Sequence, residues 1–198
     1  MACISDETME DIDMVNAMPT LVSQVFQHLE IPTLTEYAKN RPLFIKDFRE
    51  KTGLGAEYCK LIVCSVMNGA KGFGIKPSVW EEMQADEEVR TVLVTNEIDS
   101  PKKLNNLLRQ VPWLMLLRRE WEIIYAEIKH HASDFYELCE KKAEADQKNP
   151  GGVAFALLYQ DFENSILETM VAWAQEHGLL GSRYVCGMWY VVSGNDMT

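Results

Sequence analysis

The sequence lacks paired cysteines, a surplus of positive charge and any long apolar run, and each absence removes a class of protein. Its five cysteines, Cys3, Cys59, Cys64, Cys139 and Cys186, are scattered and odd in number, with no CxxC pair. A disulfide framework and a zinc site are both unsupported, and reduced thiols in an intracellular setting are the expectation. The four histidines form no HExxH, and the neighbours His130 and His131 point in different directions on a helix. There is no P-loop, no dinucleotide-binding glycine fingerprint and no GxSxG elbow. No stretch approaches the roughly 20 apolar residues that span a bilayer, and the first residues show no signal-peptide core. No membrane partner is expected, and the cytoplasm, the nucleus or a viral factory are the compartments that fit.

Positive charge is the other shortage. Nineteen Lys and Arg stand against 30 Asp and Glu, a formal net charge of -11. A generally basic surface, the usual hold on nucleic acid, is therefore excluded, although a local basic groove is not.

What is present is an ordinary globular profile: 198 residues, 47% hydrophobic and 25% charged, with no internal repeat and no low-complexity linker. One domain over residues 1–198 is expected, with 1–10 polar and frayed. A strand end is expected around Ile12 to Val15, before Pro19. Leu21, Val22, Val25, Phe26 and Leu29 then mark an amphipathic helix ending near Pro32. A second helix starts at a capping Thr33 or Thr35, breaks at Pro42 and resumes to Lys51; a third covers about Ala56 to Asn68. Trp80 to Val94 is ambiguous, because EEMQADEEV favours helix whereas RTVLVT also suits a strand. The clearest helix runs from Trp113 to His130, with Leu114, Leu117, Trp121, Ile124 and Ile128 at three-four spacing. A polar helix follows, then the turn Asn149-Pro150-Gly151-Gly152, then a long helix from about Val153 to His177. The last segment, RYVCGMWYVV, reads as a β-hairpin or two short strands.

Four places carry residue types that phosphoryl transfer uses. Asp11 and Asp13 lie where a strand end meets a helix, as carboxylates that bind divalent metals do; a solvated acidic terminus with one helix-capping Asp is the plainer alternative. Lys60, Cys64 and Asn68 share a broad helix face beside Gly69, which suits a triphosphate or equally a surface lysine on a helix with an Asn-Gly stop. Gln160 and Glu163, three apart, share a face that could meet a template or form a polar core edge. Cys186-Gly187 sits within the terminal strands with no partner base in view, so a structural cysteine is preferred to a nucleophile.

Taken in order, these places resemble the motif series of the divergent family A-like DNA polymerases of large DNA viruses and mobile elements. DIDMVNAMPTLVSQVFQHLEIPTLTEYAKNRP is similar to the first motif, with Asp13 as the metal-binding aspartate and Asp11 as the weaker candidate. CKLIVCSVMNGAKGFG resembles the second, with Lys60 meeting the triphosphate and Asn68-Gly69 at the spacing of the family's Tyr-Gly; the Arg expected one turn earlier is replaced by Ala56. PWLMLLRREWEIIYAEIK resembles the helical segment that follows. GGVAFALLYQDFENSILETMVAWAQEHGLL resembles the helix before the third motif, Gln160 and Glu163 taking its Gln-x-x-Glu positions. In the third motif Cys186 stands where the second metal-binding Asp belongs.

The resemblance implies an α+β fold, mainly helical, in which helices pack on a small antiparallel palm-like sheet formed by the Asp13 region and the terminal strands. It implies Mg²⁺ or Mn²⁺ as cofactor if active, and a DNA primer-template and nucleoside triphosphate as partners. With Cys186 in place of Asp, the expected function is a nucleotide- or nucleic-acid-binding domain with weak or lost DNA polymerase activity. An active minimal nucleotidyltransferase is a further reading, and the alternative of another class is a non-enzymatic acidic helical subunit that binds a protein partner.

Overall fold

A computed structural model describes residues 9–12, 17–70, 73–146, 148–176, 180–183 and 189–192 of the chain. Where the sequence reads as one domain, two compact units are found: Met18–Leu157, and Met1–Ala17 together with Leu158–Thr198.

The larger unit is helical. Its elements are α1 (Ala17–Val25), α2 (Pro32–Thr52), α3 (Ala56–Met67), α4 (Pro77–Ala85), α5 (Glu87–Thr95), α6 (Pro101–Leu108), α7 (Pro112–His131), α8 (Ser133–Ala145) and the start of α9 (Pro150–Glu176). Five of these, α2, α4, α6, α7 and α9, begin with a proline, where its missing N–H costs nothing. Helices α2, α3 and α7 pack against one another around a common core. The stripe Leu114, Leu117, Trp121, Ile124 and Ile128 is buried as its spacing predicts, and it meets Leu34, Tyr37 and Phe48 of α2 and Ile62, Val63 and Val66 of α3 in that core. Tyr37, Phe44 and Trp113 form an aromatic cluster across α2 and α7, and the Trp113 indole N–H donates to Asp47 at 2.9 Å.

Two local expectations are made definite and one is corrected. Residues 80–95 hold no strand: Asp86 ends α4 and accepts from the N–H groups of Glu88 and Val89 as the N-cap of α5, whose Val89 and Leu93 face the core. The break expected at Pro42 falls two residues earlier: Asn40 leaves the helical region (φ -127°, ψ 33°), and α2 consists of two helical stretches joined across this kink. Neither Thr33 nor Thr35 caps α2. Its N-cap position is Ile31, and the donors are met from α7: the buried Glu120 carboxylate accepts from the N–H groups of Thr33 at 2.8 Å and Leu34 at 2.7 Å.

In the second unit, β1 (Met9–Ile12), β2 (Leu180–Arg183) and β3 (Trp189–Val192) are antiparallel in the order β1-β3-β2. The α+β expectation, with helices packed on a palm-like sheet, is overturned. Among the described residues the fold has nine helices, the larger unit has no strand, and the three four-residue strands make their contacts chiefly with each other. Apolar spacing near 3.6 along most of the chain lets helices bury their faces on helices, which leaves no role for a central sheet layer.

Glu127 on α7 is a local electrostatic joint. His28, from the segment after α1, places Nε2 2.8 Å from its Oε1, and His131 approaches the same oxygen at 3.2 Å. The hydrogen bond with His28, helped by the charges of His131, His28 and His130, holds this carboxyl below the usual range. A depressed carboxylate adds stability above its unfolded pKa of about 4.3 and loses it as pH falls through the lower folded value. The Tm difference between wild type and Glu127→Gln should therefore be full above about pH 5 and close on acidification. A difference that stays constant with pH would assign it to packing instead.

Candidate functional site

The Lys60 region resolves into a helix stop and a packed joint. At the end of α3 the Gly69 N–H donates to Val66 O and the Ala70 N–H to Ser65 O, both at 3.0 Å, the two bonds of a Schellman cap. Gly69 has φ +70°, the left-handed value that such a cap requires and that glycine adopts without penalty. The Asn68 side-chain amide donates to Cys64 O at 2.8 Å. Lys60 and Asn68 are both exposed, with Lys60 two turns before the cap.

Facing this cap is the start of α9. Asn149 accepts from the Gly152 N–H at 3.2 Å through its side chain, and its carbonyl accepts from the Val153 N–H at 3.0 Å, so the Asn-Pro-Gly-Gly turn is a helix N-cap. Both glycines are buried because other backbone and a ring lie against them: Gly152 against the Asn68 carbonyl, Gly151 against the Tyr125 ring. The Tyr125 hydroxyl donates to Met67 O at 2.7 Å, tying α7 into the same joint. Burial pushes its pKa up, so it remains a neutral donor throughout the working pH range. Asn68 and Gly69 thus have complete structural explanations here.

Beside them, burial pushes the Cys59 thiol up to about 12 and Tyr37 up to about 12, with the Arg41 guanidinium opposing both. A thiol held so high is no nucleophile.

In the other unit, Asp11 lies in β1 directly opposite Tyr190 of β3. The strand carrying the acidic N-terminal motif is thus paired with the strand that follows Cys186-Gly187 in sequence. Asp13 and the pair Cys186-Gly187 lie outside the described residues. Gln160 and Glu163 sit on the portion of α9 that belongs to this unit, Gln160 exposed and Glu163 half-buried. The structure therefore associates Asp11 with the terminal strands, and joins Asn68 and Gly69 to Asn149 and Gly152.

Among the described residues no group of three His, Cys, Asp or Glu side chains could hold a metal ion. The donor types fit a hard divalent cation only on one side: Asp11 and Asp13 offer oxygen, whereas Cys186 offers sulfur, a poor ligand for Mg²⁺. No step through a bound metal follows from this set. No described helix is long and apolar enough to cross a membrane.

What the motif reading passed over is the charge of α2. Lys39, Arg41, Lys46, Arg49 and Lys51 face only Glu36, Asp47 and Glu50 there, in a chain of net charge -11. Counting charge helix by helix, rather than over the whole chain, would have found it. The chain matches no protein-family model, no curated protein and no solved structure.

Proposed function

We propose that the chain is a polymerase-derived domain that binds nucleic acid or nucleotide and has little or no nucleotidyl transfer of its own. The observation that supports this best is the pairing of β1 with β3, Asp11 opposite Tyr190. It joins segments from the two ends of the sequence, those that resemble the first and third catalytic motifs. A polymerase site needs its two metal-binding segments side by side, whereas a solvated acidic terminus has no reason to seek that neighbour. The weak chemistry follows from Cys186, because two-metal catalysis needs carboxylate oxygens from both segments.

The test is a labelled primer-template at low salt with Mn²⁺ and nucleoside triphosphates. Wild type should bind without extending the primer, and Cys186→Asp should extend it, an activity lost again on adding Asp13→Ala. Failure of both wild type and Cys186→Asp to bind would overturn the reading. A second reading, an acidic subunit that docks a protein, would then take its place. It is favoured by Met115, Leu116 and Ile123, which leave an apolar strip 39–52% exposed on α7.

A further inference from the structure

An acidic protein that binds nucleic acid must gather its cations on one face, because phosphate contacts form locally while the remaining charge repels. Helix by helix, α9 carries Asp161, Glu163, Glu168 and Glu176 with no Lys or Arg, and α4, α5 and α8 are net negative. Of the described helices, only α2 and α6 are net positive. Of these α6 is eight residues long, and its Lys103 is already bonded to Asp99 Oδ2 at 2.8 Å and Glu97 O at 3.0 Å. By contrast α2 runs for 21 residues and borders a concavity of ≈ 440 Å³ lined by Pro42, Ile45, Lys46, Arg49 and Glu50.

These five positions recur at three-four spacing and so form one face of α2 beyond its kink. Pro42 and Ile45 supply an apolar floor, and the exposed Lys46 and Arg49 stand one turn apart beside it. Lys46 has only a loose pairing with Glu50, 3.9 Å apart with both side chains well exposed, which holds it weakly. Arg49 makes no ion pair among the described residues. Cations in a last helical turn also offset the helix dipole, which accounts for Arg49 and Lys51 but not for Lys46 or for the hollow beside it.

We propose that this face of α2, with Lys46 and Arg49 at its centre, is where the chain holds a nucleic-acid phosphate backbone. The inference rests on the nucleic-acid-binding reading above and gives it a location. Phosphates meet Lys46 and Arg49, sugars lie on Pro42 and Ile45, and Glu50 sets an upper limit on affinity by repulsion.

Binding of a labelled oligonucleotide by fluorescence anisotropy, across a salt series, tests this with the full chain. Lys46→Gln/Arg49→Gln should weaken binding at least about tenfold and flatten the log K against log salt slope by roughly 1.5, the loss of two phosphate contacts. Lys102→Gln/Lys141→Gln, the same charge change at exposed sites of α6 and α8, should bind as wild type does. Glu50→Gln should tighten binding about threefold, a gain that misfolding cannot mimic. Wild-type affinity and slope in the α2 variant, equal losses in both double variants, or no tightening in Glu50→Gln would each overturn the proposal while the nucleic-acid reading stood. No binding by wild type at the lowest salt would remove both.

Discussion

Replacing Glu120 by alanine should cost about 3 kcal/mol of stability, far more than its single charge suggests. Glu120 is 6% exposed, and its carboxylate spans from α7 to the first turn of α2, where both oxygens are engaged by Thr33 and Leu34 N–H groups. Ile31 offers no side-chain cap and Pro32 has no N–H, so these two donors have no local substitute. Each buried donor left without an acceptor costs about 1–3 kcal/mol. For a chain of this size the melting temperature should fall by about 9 °C. Two further variants separate capping from packing in the same thermal melt. Glu120→Gln keeps one acceptor oxygen and should lose about half as much, mainly the attraction between a carboxylate and a helix N-terminus. Glu120→Leu fills the space without an acceptor and should do no better than alanine. A leucine variant as stable as wild type would show that Glu120 acts by volume alone.

Gly152→Ala should destabilise by about 3 kcal/mol, whereas a glycine-to-alanine change inside an ordinary helix stabilises by about 0.5–1 kcal/mol. The sign is therefore the test, read by denaturant unfolding. An added methyl would run into the Asn68 carbonyl oxygen and sit 3.4 Å from the Gly69 Cα. Those are backbone atoms of the α3 cap, which cannot swing aside as a long side chain does. The start of α9 would have to move away, disturbing the Asn149 cap and the Tyr125–Met67 hydrogen bond with it. Gly151→Ala should show a smaller loss. Its methyl would meet the Tyr125 ring at 2.6 Å from Cγ, and a ring can tilt where a carbonyl cannot. An increase in stability on Gly152→Ala would mean that α3 and α9 do not approach as closely as described.

These two residues also show where reading the sequence reaches its limit. Asn149-Pro150-Gly151-Gly152 is recognisable as a turn, because proline and glycine punctuate helices by their own backbone chemistry. That the two glycines face an Asn-Gly helix stop some 80 residues earlier is a tertiary fact. The same Asn68-Gly69 supports a nucleotide-site reading when taken with Lys60 as a spacing. In the fold, Asn68 bonds Cys64 O and Gly69 completes a Schellman cap, and both are accounted for without a ligand. Glu120 stands in the stretch Arg118-Arg119-Glu120-Trp121-Glu122, where nothing local separates it from the other charged residues of α7. Only the arrival of α2 turns it into a buried cap.

The local features that needed no partner were settled by the amino-acid sequence itself. The apolar stripe from Leu114 to Ile128 and the stop at Asn68-Gly69 follow from side-chain periodicity and backbone preference, whereas α9 begins at Pro150, inside the stretch that reads as a turn before a helix from Val153. Tertiary structure decided the rest. It made 87–95 a helix, because Asp86 caps it and Val89 and Leu93 find a core, although its β-branched residues equally suit a strand. It replaced the expected sheet layer by helix-on-helix packing, set Asp11 opposite Tyr190, and turned one face of α2 into a basic concavity on an acidic chain. Burial, strand register and the grouping of charges depend on residues distant in sequence, and no local pattern contains them.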